Sequence, residues 1–331
     1  MRRLIAKRLA AMAVIILVLT AVMFLLQRIS PLDPVHAMLG ANASRQALTA
    51  ERHNLGLDRP VIDQYGRYLD GLARGNLGMS YRTRRPVTTD IGTFLPATAE
   101  LTFYALALAL VLAVLLAFGT TLEWPGARLL RLVLLGGSSA PAFLLSIAGI
   151  LVFYKQLGWL PASGRTSLAN PPTGPTGLLT VDGLLTGQPG VTLDACQHLV
   201  LPALAIAIGP AVSIGRVLRS SLASNLRADY VRTARAKGLS EGRLLLRHVT
   251  RNSVGAALSM TGLQVGLMFA GVLVIEQVFA WPGLGQYVAQ SIPVADFPAI
   301  AGVTLLLGAG YVVINTTVDI LQAVADPRIS V

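Results

Sequence analysis

The side chains that could bind a partner or do chemistry are concentrated in one basic stretch, residues 216–251. Nine positive charges in this stretch face two acidic ones, Asp229 and Glu241. Its helical spacing predicts a short helix, a turn at Gly238 and a second helix capped by Ser240. A rigid hairpin of this kind can pass a displacement on to the spans that it joins, whereas a flexible loop would absorb the displacement. The alternative is a solvated basic loop held near anionic lipid.

Small and apolar side chains favour the hairpin. Alanines keep its first helix slim, so that another backbone or surface can approach closely. Three successive leucines, Leu244, Leu245 and Leu246, are expected to bury the second helix against the protein or the membrane edge.

Residues for enzymatic or metal chemistry are missing or scattered. No glycine-rich loop ends in Gly-Lys-Ser/Thr, and neither a nucleophile elbow nor a His-Glu-x-x-His pattern is present. The single cysteine, Cys196, excludes an internal disulfide and a Cys-x-x-Cys site. The four histidines lie far apart and are interpreted as polar surface or loop residues: His36, His53, His198 and His248. We therefore expect no enzyme activity, cofactor or metal site in this chain.

The composition indicates a protein embedded in lipid. Of the 331 residues, 53% are hydrophobic and 13% are charged, whereas a soluble domain carries about 25% charged residues. The net charge of +11 could suggest nucleic acid. The positive residues lie at the edges of apolar runs, however, so orientation in a membrane explains them better. Membrane lipid is therefore expected as a partner, and nucleic acid is not.

Six uncharged stretches approach or exceed the roughly 20 residues that a helix needs to cross the hydrocarbon core. They are residues 9–27, 101–122, 132–154, 199–215, 252–275 and 299–318. This pattern predicts an all-α, polytopic membrane protein with six transmembrane helices. The fourth stretch is the shortest, and Pro202 and Pro210 predict a bent or broken helix there. The first stretch lacks a following cleavage site, so it is interpreted as a span and not as a removed leader.

Charges in the short connections predict that both termini lie in the cytoplasm. The N-terminus and the second-to-third and fourth-to-fifth connections are basic, whereas residues 276–298 contain no Lys or Arg. Basic connections stay on the cytoplasmic side. The outer residues 28–99 also hold many arginines, but long loops translocate largely regardless of charge. The expected location is the plasma (inner) membrane.

The two long outer connections differ in pattern. In the external segment 28–99, one helical face formed by Val61, Tyr65, Tyr68, Leu69 and Leu72 predicts a partly folded structure. In residues 155–197, five prolines lie among many glycines with little periodicity, which predicts an extended external loop. The chain is thus divided into residues 1–27, the external segment 28–99 and a core of five spans, 100–331.

Glycines and polar residues inside the apolar stretches predict close contacts. Gly262 and Gly266 form a Gly-x-x-x-Gly pattern, which permits close helix contact either between subunits or within one subunit. Gln264, Asn315 and Asp319 are expected to face a cavity or a partner helix, because polar groups rarely face lipid.

Residues 232–241, Arg-Thr-Ala-Arg-Ala-Lys-Gly-Leu-Ser-Glu, resemble the cytoplasmic docking motif of ATP-binding-cassette importer permeases. The form is most similar to that of the dipeptide/oligopeptide/nickel permease family. The general motif reads Glu-Ala-Ala, three residues, then Gly, and here Arg232 replaces the leading Glu. Arg251 and Asn252 stand where other branches have Leu-Pro. Both departures weaken any inference of an acidic contact to an ATPase.

Further motifs in the right order extend the resemblance over nearly the whole chain. They are Pro-Leu-Asp-Pro at 31–34, Leu-Gly-Leu-Asp-Arg-Pro at 55–60, Gln-Tyr at 64–65, Gly-Asn-Leu-Gly-Met-Ser at 75–80, Leu-Pro-Ala-Thr-Ala-Glu-Leu at 95–101, Glu-Gln-Val-Phe-Ala-Trp-Pro-Gly-Leu-Gly at 276–285, Asp-Phe-Pro at 296–298 and Asp-Pro-Arg-Ile at 326–329. The long outer segment after the first span resembles the B-type subunit of the two paired permeases. The resemblance implies a fold like that of type I ATP-binding-cassette importers.

The resemblance also implies roles for particular residues. Residues 230–246 would form coupling helices that sit in a groove on an ATPase subunit. The implied docking residues are Tyr230, Arg232, Thr233, Ala234, Arg235, Lys237, Gly238, Leu239, Ser240 and Glu241. Residues 281–285 would form a tight outer turn near the pathway mouth, and the alternative is an interfacial turn anchored by Trp281 at the headgroups. The candidates for the substrate pathway are Gln264, Trp281 and Asn315.

The function implied by the resemblance is that of one transport subunit among several. It would pair with a paralogous permease, two ATP-binding subunits would dock with their ATP and Mg²⁺, and an external solute-binding protein would deliver the ligand. The implied substrate is a short peptide, with nickel and glutathione as alternatives. A secondary transporter or channel is a rival of another class, but such carriers usually need ionisable residues inside their spans, and these spans lack them. A structural or assembly protein is a further rival.

Overall fold

The computed structural model describes residues 2–30, 34–40, 43–172 and 174–325, and the regular secondary structure in these ranges is helical. The all-α class predicted from the sequence is confirmed. Residues 31–33 of the first motif and the whole motif at 326–329 lie outside the described residues.

Fourteen helices follow one another along the described residues. They are α1 (Arg2–Ile29), α2 (Pro34–Leu39), α3 (Arg45–Leu55), α4 (Val61–Ala73), α5 (Val87–Thr121), α6 (Ala127–Ser138), α7 (Ala142–Gly149), α8 (Leu179–Leu185), α9 (Pro189–Leu226), α10 (Asp229–Ala236), α11 (Glu241–Leu244), α12 (Thr250–Val278), α13 (Leu284–Ser291) and α14 (Phe297–Ala325). Wider π-helical turns extend α7 over Ile150–Gln156 and join α11 to α12 over Leu245–Val249. Five of these elements are long and apolar enough to cross a membrane, and the bent pair of α6 and α7 makes a sixth.

The third predicted span, residues 132–154, is not one continuous helix. The axes of α6 and α7 enclose an angle of 112° at the break between Ser138 and Ala142. Pro141 lies in this break, and proline lacks the backbone N–H and collides with the preceding turn of a helix. Glycines and serines at residues 136–139 weaken the helix just before the proline. The third apolar stretch is therefore part of a bent pair of helices.

The fourth predicted span shows the opposite behaviour. Helix α9 continues for 38 residues through Pro202 and Pro210, so of the two predicted alternatives the broken helix is wrong, and the bent helix stays a prediction. Both prolines are buried within the protein. Each proline removes one backbone hydrogen bond, and packing of neighbouring helices around both positions supports the helical course there.

Small residues let α9 approach α5 closely. Ala207 and Ala211 of α9 meet Ala109 of α5 in a fully buried cluster. A Cβ atom at Gly215 would lie 3.1 Å from the backbone oxygen of Ala113. Small side chains at this interface let the two helix backbones approach each other more closely than larger side chains would allow.

The same helix corrects the expectation for residues 155–197. The second half of this connection is helical, because α8 covers Leu179–Leu185 and α9 begins at Pro189. Proline is well suited to the first turn of a helix, where its missing N–H has no helical partner. Residues 157–172 and 174–178 form no helix, as predicted for an extended loop.

The external segment contains α2, α3 and α4, which confirms that it is partly folded. Helix α4 contains the predicted face, and its aromatic residues contact α1. The ring centroids of Tyr65 and Tyr68 lie 5.3 and 6.2 Å from that of Phe24, and the Tyr65 hydroxyl lies 3.0 Å from the Thr20 hydroxyl. Val61, at the start of the same face, is exposed.

The Gly-x-x-x-Gly pattern serves packing within the subunit, which was the second of its two interpretations. A Cβ atom at Gly266 would lie 2.4 Å from Cε2 of Tyr311 on α14, and one at Gly262 would lie 3.1 Å from Oδ1 of Asn315. The two glycines therefore allow α12 and α14 to approach each other closely.

Replacing Gly266 with valine is expected to destabilise the protein by about 1–3 kcal/mol, because the added methyl groups collide with Tyr311. Gly255 lies in the same helix with open space around its Cα, so Gly255→Val is the matched control and should be close to neutral. Thermal unfolding of the detergent-solubilised protein measures both. Equal midpoints for the two variants would contradict the packing assignment.

Candidate functional site

Residues 227–249 of the basic stretch fold as a helical hairpin, which we call the basic hairpin, whereas residues 216–226 and 250–251 of the stretch belong to α9 and α12. Helix α10 ends before Gly238, whose φ of +81° reverses the chain in the left-handed region, and α11 begins at Glu241. Arg235 donates two hydrogen bonds across the turn to Glu241, of 2.5 and 3.0 Å. The hydrogen bond with Glu241 raises the pKa of the Arg235 guanidinium above its ordinary value. The predicted helix–turn–helix is confirmed.

Two details of the hairpin differ from the prediction. Ser240 occupies the position before α11 with an extended backbone, but its side chain makes no capping hydrogen bond. Its backbone oxygen instead accepts the first helical bond, from Leu244 at 2.9 Å. Leu246 is 69% exposed, whereas Leu244 and Leu245 are buried. Successive residues of a helix point in different directions, so three leucines in a row cannot share one buried face.

The hairpin is anchored to the spans by apolar contacts. Val231 of α10 and Leu244 and Leu245 are fully buried in one cluster. Their neighbours in this cluster include Leu218 and Leu222 near the end of α9. Burying side chains of this size contributes about 1.5–3 kcal/mol each. Both helices of the hairpin are therefore held firmly against the membrane-spanning part of the protein.

A chain of hydrogen bonds provides a second anchor, which sequence reasoning missed. Tyr230 donates its hydroxyl proton to Oδ1 of Asn225 at 3.1 Å. The Asn225 amide donates to the Ser253 hydroxyl, also at 3.1 Å, and Ser253 is fully buried. These contacts join α10 to the ends of α9 and α12. No sequence pattern singled out Asn225 or Ser253, because a lone Asn or Ser near a helix end has many uses.

Most exposed side chains of the hairpin are polar, and the charged ones are mainly basic. The predicted docking residues exposed there are Tyr230, Arg232, Thr233, Arg235, Lys237, Gly238, Ser240 and Glu241, while Ala234 and Leu239 are half-buried. All the predicted docking residues thus lie in one projecting element. Their contact with an ATPase stays a prediction.

A cavity of about 520 Å³ lies where the break between α6 and α7 faces α9 and α12. Its wall includes Gln264 and Arg216 together with hydroxyl and small side chains. Gln264 is only 7% exposed, and none of the described residues forms a hydrogen bond with its amide. Of the three candidates for the pathway, the cavity wall contains Gln264 but neither Trp281 nor Asn315.

The polar residues of α14 face other helices. Asn315 donates to the backbone oxygen of Tyr311 at 3.0 Å and lies beside Gly262 of α12. Asp319 forms an ion pair with Arg8 of α1. The expectation of a partner helix is confirmed for Asp319, and a pathway role for Asn315 stays a prediction.

Comparison with known proteins accounts for nearly the whole chain. Residues 105–331 match the family described as binding-protein-dependent transport system inner membrane component, and residues 1–102 match the N-terminal part of such membrane components. The chain belongs to this family. It is therefore a permease, a multi-pass inner-membrane subunit of an ATP-driven importer that works with ATPase and substrate-binding subunits. It is a transport component and not an enzyme.

Three relatives resemble the permease over almost their full length. The dipeptide transport system permease protein DppB of Alkalihalophilus pseudofirmus is 36% identical over 98% of both chains. The di/tripeptide transport system permease protein DppB of Pseudomonas aeruginosa is 39% identical over 98% of both chains. The glutathione transport system permease protein GsiC of Escherichia coli is 33% identical over 98% of this chain and 97% of its own.

A buried ion pair lies near the start of α5 in the permease. Glu100 accepts hydrogen bonds from Nη2 of Arg165 at 2.5 Å and from the backbone N and hydroxyl of Thr180 at 2.9 and 2.7 Å. The Arg165 guanidinium lies 5.8 Å from the ring centroid of Trp281. We call these four residues the outer cluster. It fixes the connection between α7 and α8 to the spans.

Trp281 is part of this packing and not a headgroup anchor. It is 1% exposed, and its indole N–H donates to the backbone oxygen of Ala97 at 2.9 Å. The alternative of an interfacial turn anchored by Trp281 is therefore wrong. Its place in the substrate pathway stays a prediction.

The turn after Trp281 is built around a second buried carboxylate. Glu276 accepts from the Thr98 hydroxyl and from the backbone N–H of Gly285, both at 2.6 Å. A Cβ atom at Gly283 would lie 2.2 Å from the Glu276 carboxylate. The glycines of the motif are thus explained, because only glycine lets the backbone approach the carboxylate this closely.

Two further carboxylates tie the external segment to α13 and α14. Asp90 accepts from the hydroxyls of Thr83 at 2.5 Å and Tyr287 at 3.0 Å. Asp296 accepts from the Ser80 hydroxyl and from the backbone N–H of Arg82. Burial raises the pKa of the Tyr287 phenol, which therefore stays protonated as a donor.

Proposed function

We propose that this permease moves short peptides inward by alternating access. The relatives named for dipeptides and di/tripeptides support this substrate, at 36% and 39% identity. The relative named for glutathione, at 33% identity, makes glutathione the second candidate. Nickel is less favoured, because the arginine, glutamine and serines on the described cavity wall are not ligands that Ni²⁺ prefers.

The proposed mechanism rests on the rigid, anchored basic hairpin. The permease pairs with a paralogous permease, and two ATP-binding subunits, which hold the ATP and Mg²⁺, dock on the two hairpins. When the ATPases close, they displace the hairpins. The buried leucines and the Tyr230–Asn225–Ser253 hydrogen bonds then pass the displacement to α9 and α12. An external solute-binding protein delivers the ligand, and this chain holds no cofactor of its own.

Transport measurements test the proposal directly. The permease, its paralogue, the ATPases and the solute-binding protein are reconstituted in proteoliposomes, and uptake of a labelled dipeptide is compared with and without ATP. We expect uptake that requires both ATP and the binding protein, with glutathione as the competing substrate. Peptide uptake that continues without any ATPase would instead favour a secondary transporter.

Both termini and the basic hairpin are proposed to face the cytoplasm, and two lysines report on this topology. Lys155 ends the turn that extends α7 on the proposed outer side, Lys237 lies at the hairpin tip, and both are exposed. A membrane-impermeant amine reagent added to sealed cells is expected to modify Lys155 at least tenfold faster than Lys237. Mass spectrometry of the peptides measures both sites. Modification of Lys237 in sealed cells at the rate of Lys155 would place the hairpin outside.

A further inference from the structure

The cavity between α6, α7, α9 and α12 has the size and the wall of a ligand site. Its volume of about 520 Å³ falls within the roughly 300–1,000 Å³ of small-molecule sites. Residues on both sides of the sharp break at 139–141 form part of its wall. The glycines and alanines on the wall, among them Gly209 and Gly271, leave room for side chains of different sizes.

Arg216 gives the wall its charge. It lies ten residues before the end of the long helix α9, directly after the apolar stretch 199–215, and it is exposed to the cavity. In the part of the chain that the structure describes, no carboxylate pairs with Arg216, and none lies on this wall. A guanidinium matches a carboxylate in geometry as well as in charge.

Gln264 adds a side chain that can form hydrogen bonds with an amide group of a ligand. More than nine-tenths of this side chain is buried, yet its amide has no hydrogen-bond partner among the described residues. The amide atoms are not fully enclosed by the protein, so they remain open to water or to a ligand in the cavity. One side-chain amide offers both a donor and an acceptor. It can therefore pair with the N–H and C=O groups of a peptide backbone.

We propose that this cavity is a subsite for the carboxyl end of a peptide in transit. Arg216 pairs with the terminal carboxylate, and Gln264 forms hydrogen bonds with the neighbouring peptide bond. Both contacts recognise groups that every peptide shares, so the subsite accepts varied side chains. The inference rests on the proposed function as a peptide importer.

Uptake by the complete importer provides the first test. With saturating loaded binding protein, Arg216→Gln is expected to lower dipeptide uptake about ten- to one-hundredfold, Gln264→Leu about tenfold, and Arg216→Lys less than Arg216→Gln. Arg219→Gln is the matched control, because Arg219 lies one turn further along the same helix and outside the cavity wall, and it should change uptake less than twofold. Co-purification with the ATPases confirms that each variant is assembled. Equal uptake by assembled Arg216→Gln and Arg219→Gln importers would overturn the inference and leave the proposed function intact.

Photolabelling without the binding protein provides a separate test. A dipeptide with a diazirine side chain is crosslinked to the permease–ATPase complex in nanodiscs. We expect labels on α9 and α12, competition by the free dipeptide but not by its C-terminal amide, and at least tenfold less labelling in Arg216→Gln. Labelling that the amide blocks equally well, or that Arg216→Gln retains, would overturn the inference. Absence of dipeptide uptake together with Arg216-dependent labelling would instead contradict the proposed function alone.

Discussion

Replacing Gly238 with valine is expected to lower ATP-driven import roughly a hundredfold. The φ of +81° at this turn is open to glycine, whereas a β-branched residue there costs about 3 kcal/mol. The hairpin would relieve this strain by opening the turn, which pulls apart Arg235 and Glu241 and moves the docking surface. Uptake by the reconstituted importer and co-purification of the ATPases measure the effect.

Gly242→Val is the matched control for this prediction. Gly242 lies in the same hairpin, is exposed and has open space around it, and its φ is not in the left-handed region. The control should import within twofold of the unaltered permease. If Gly238→Val keeps its ATPases and imports at the same rate as Gly242→Val, the shape of the turn does not matter for coupling.

Replacing Arg165 with methionine is expected to destabilise the permease by about 3–5 kcal/mol. Arg165 and Glu100 are 13% and 1% exposed, so removal of the arginine leaves a buried carboxylate without its counter-charge. Thr180 still donates two hydrogen bonds to Glu100, but these do not supply a positive charge. Denaturant unfolding of the solubilised protein measures the loss.

An exposed ion pair offers the control with the same substitution. Arg74 and Asp70 are 76% and 60% exposed, so Arg74→Met should cost less than about 1 kcal/mol. The double variant Arg165→Met with Glu100→Gln should regain much of the lost stability, because no uncompensated charge remains. Similar losses for Arg165→Met and Arg74→Met would show that the outer cluster is not a buried electrostatic contact.

The helical class, the six apolar stretches and the basic hairpin could be predicted because each depends on local pattern. A run of about 20 apolar residues has few structural solutions in lipid, and a glycine between two helical patterns marks a turn. The sequence alone does not show which prolines interrupt a helix and which are tolerated within one. Pro141 breaks its helix while Pro202 and Pro210 do not, and the difference lies in how closely the neighbouring helices enclose α9.

The buried carboxylates were missed for a related reason. Glu100 and Glu276 stand inside motifs that the sequence analysis quoted, and an isolated acid beside a long apolar run is itself a signal. Their side-chain partners Arg165 and Thr98 lie 65 and 178 residues away in the chain, which no spacing rule connects. Gln264 was predicted to face a cavity or a partner helix because it lies inside a span, but the shape of that cavity depends on the break between α6 and α7.

Helix α9 runs without a break between the α7–α8 connection and the basic hairpin, so one helix contacts both. At 1.5 Å per residue its 38 residues extend about 57 Å. Near one end Asp194 accepts hydrogen bonds from Thr166 and Ser167 of the α7–α8 connection, and near the other Asn225 holds the hairpin. If the ATPase docks on the basic hairpin, as proposed, and the solute-binding protein contacts the α7–α8 connection, a partner that favours one tilt of α9 at one end changes the affinity for the partner at the other end. By thermodynamic linkage, docking of the ATPase then changes the affinity of the permease for the external partner by the same factor.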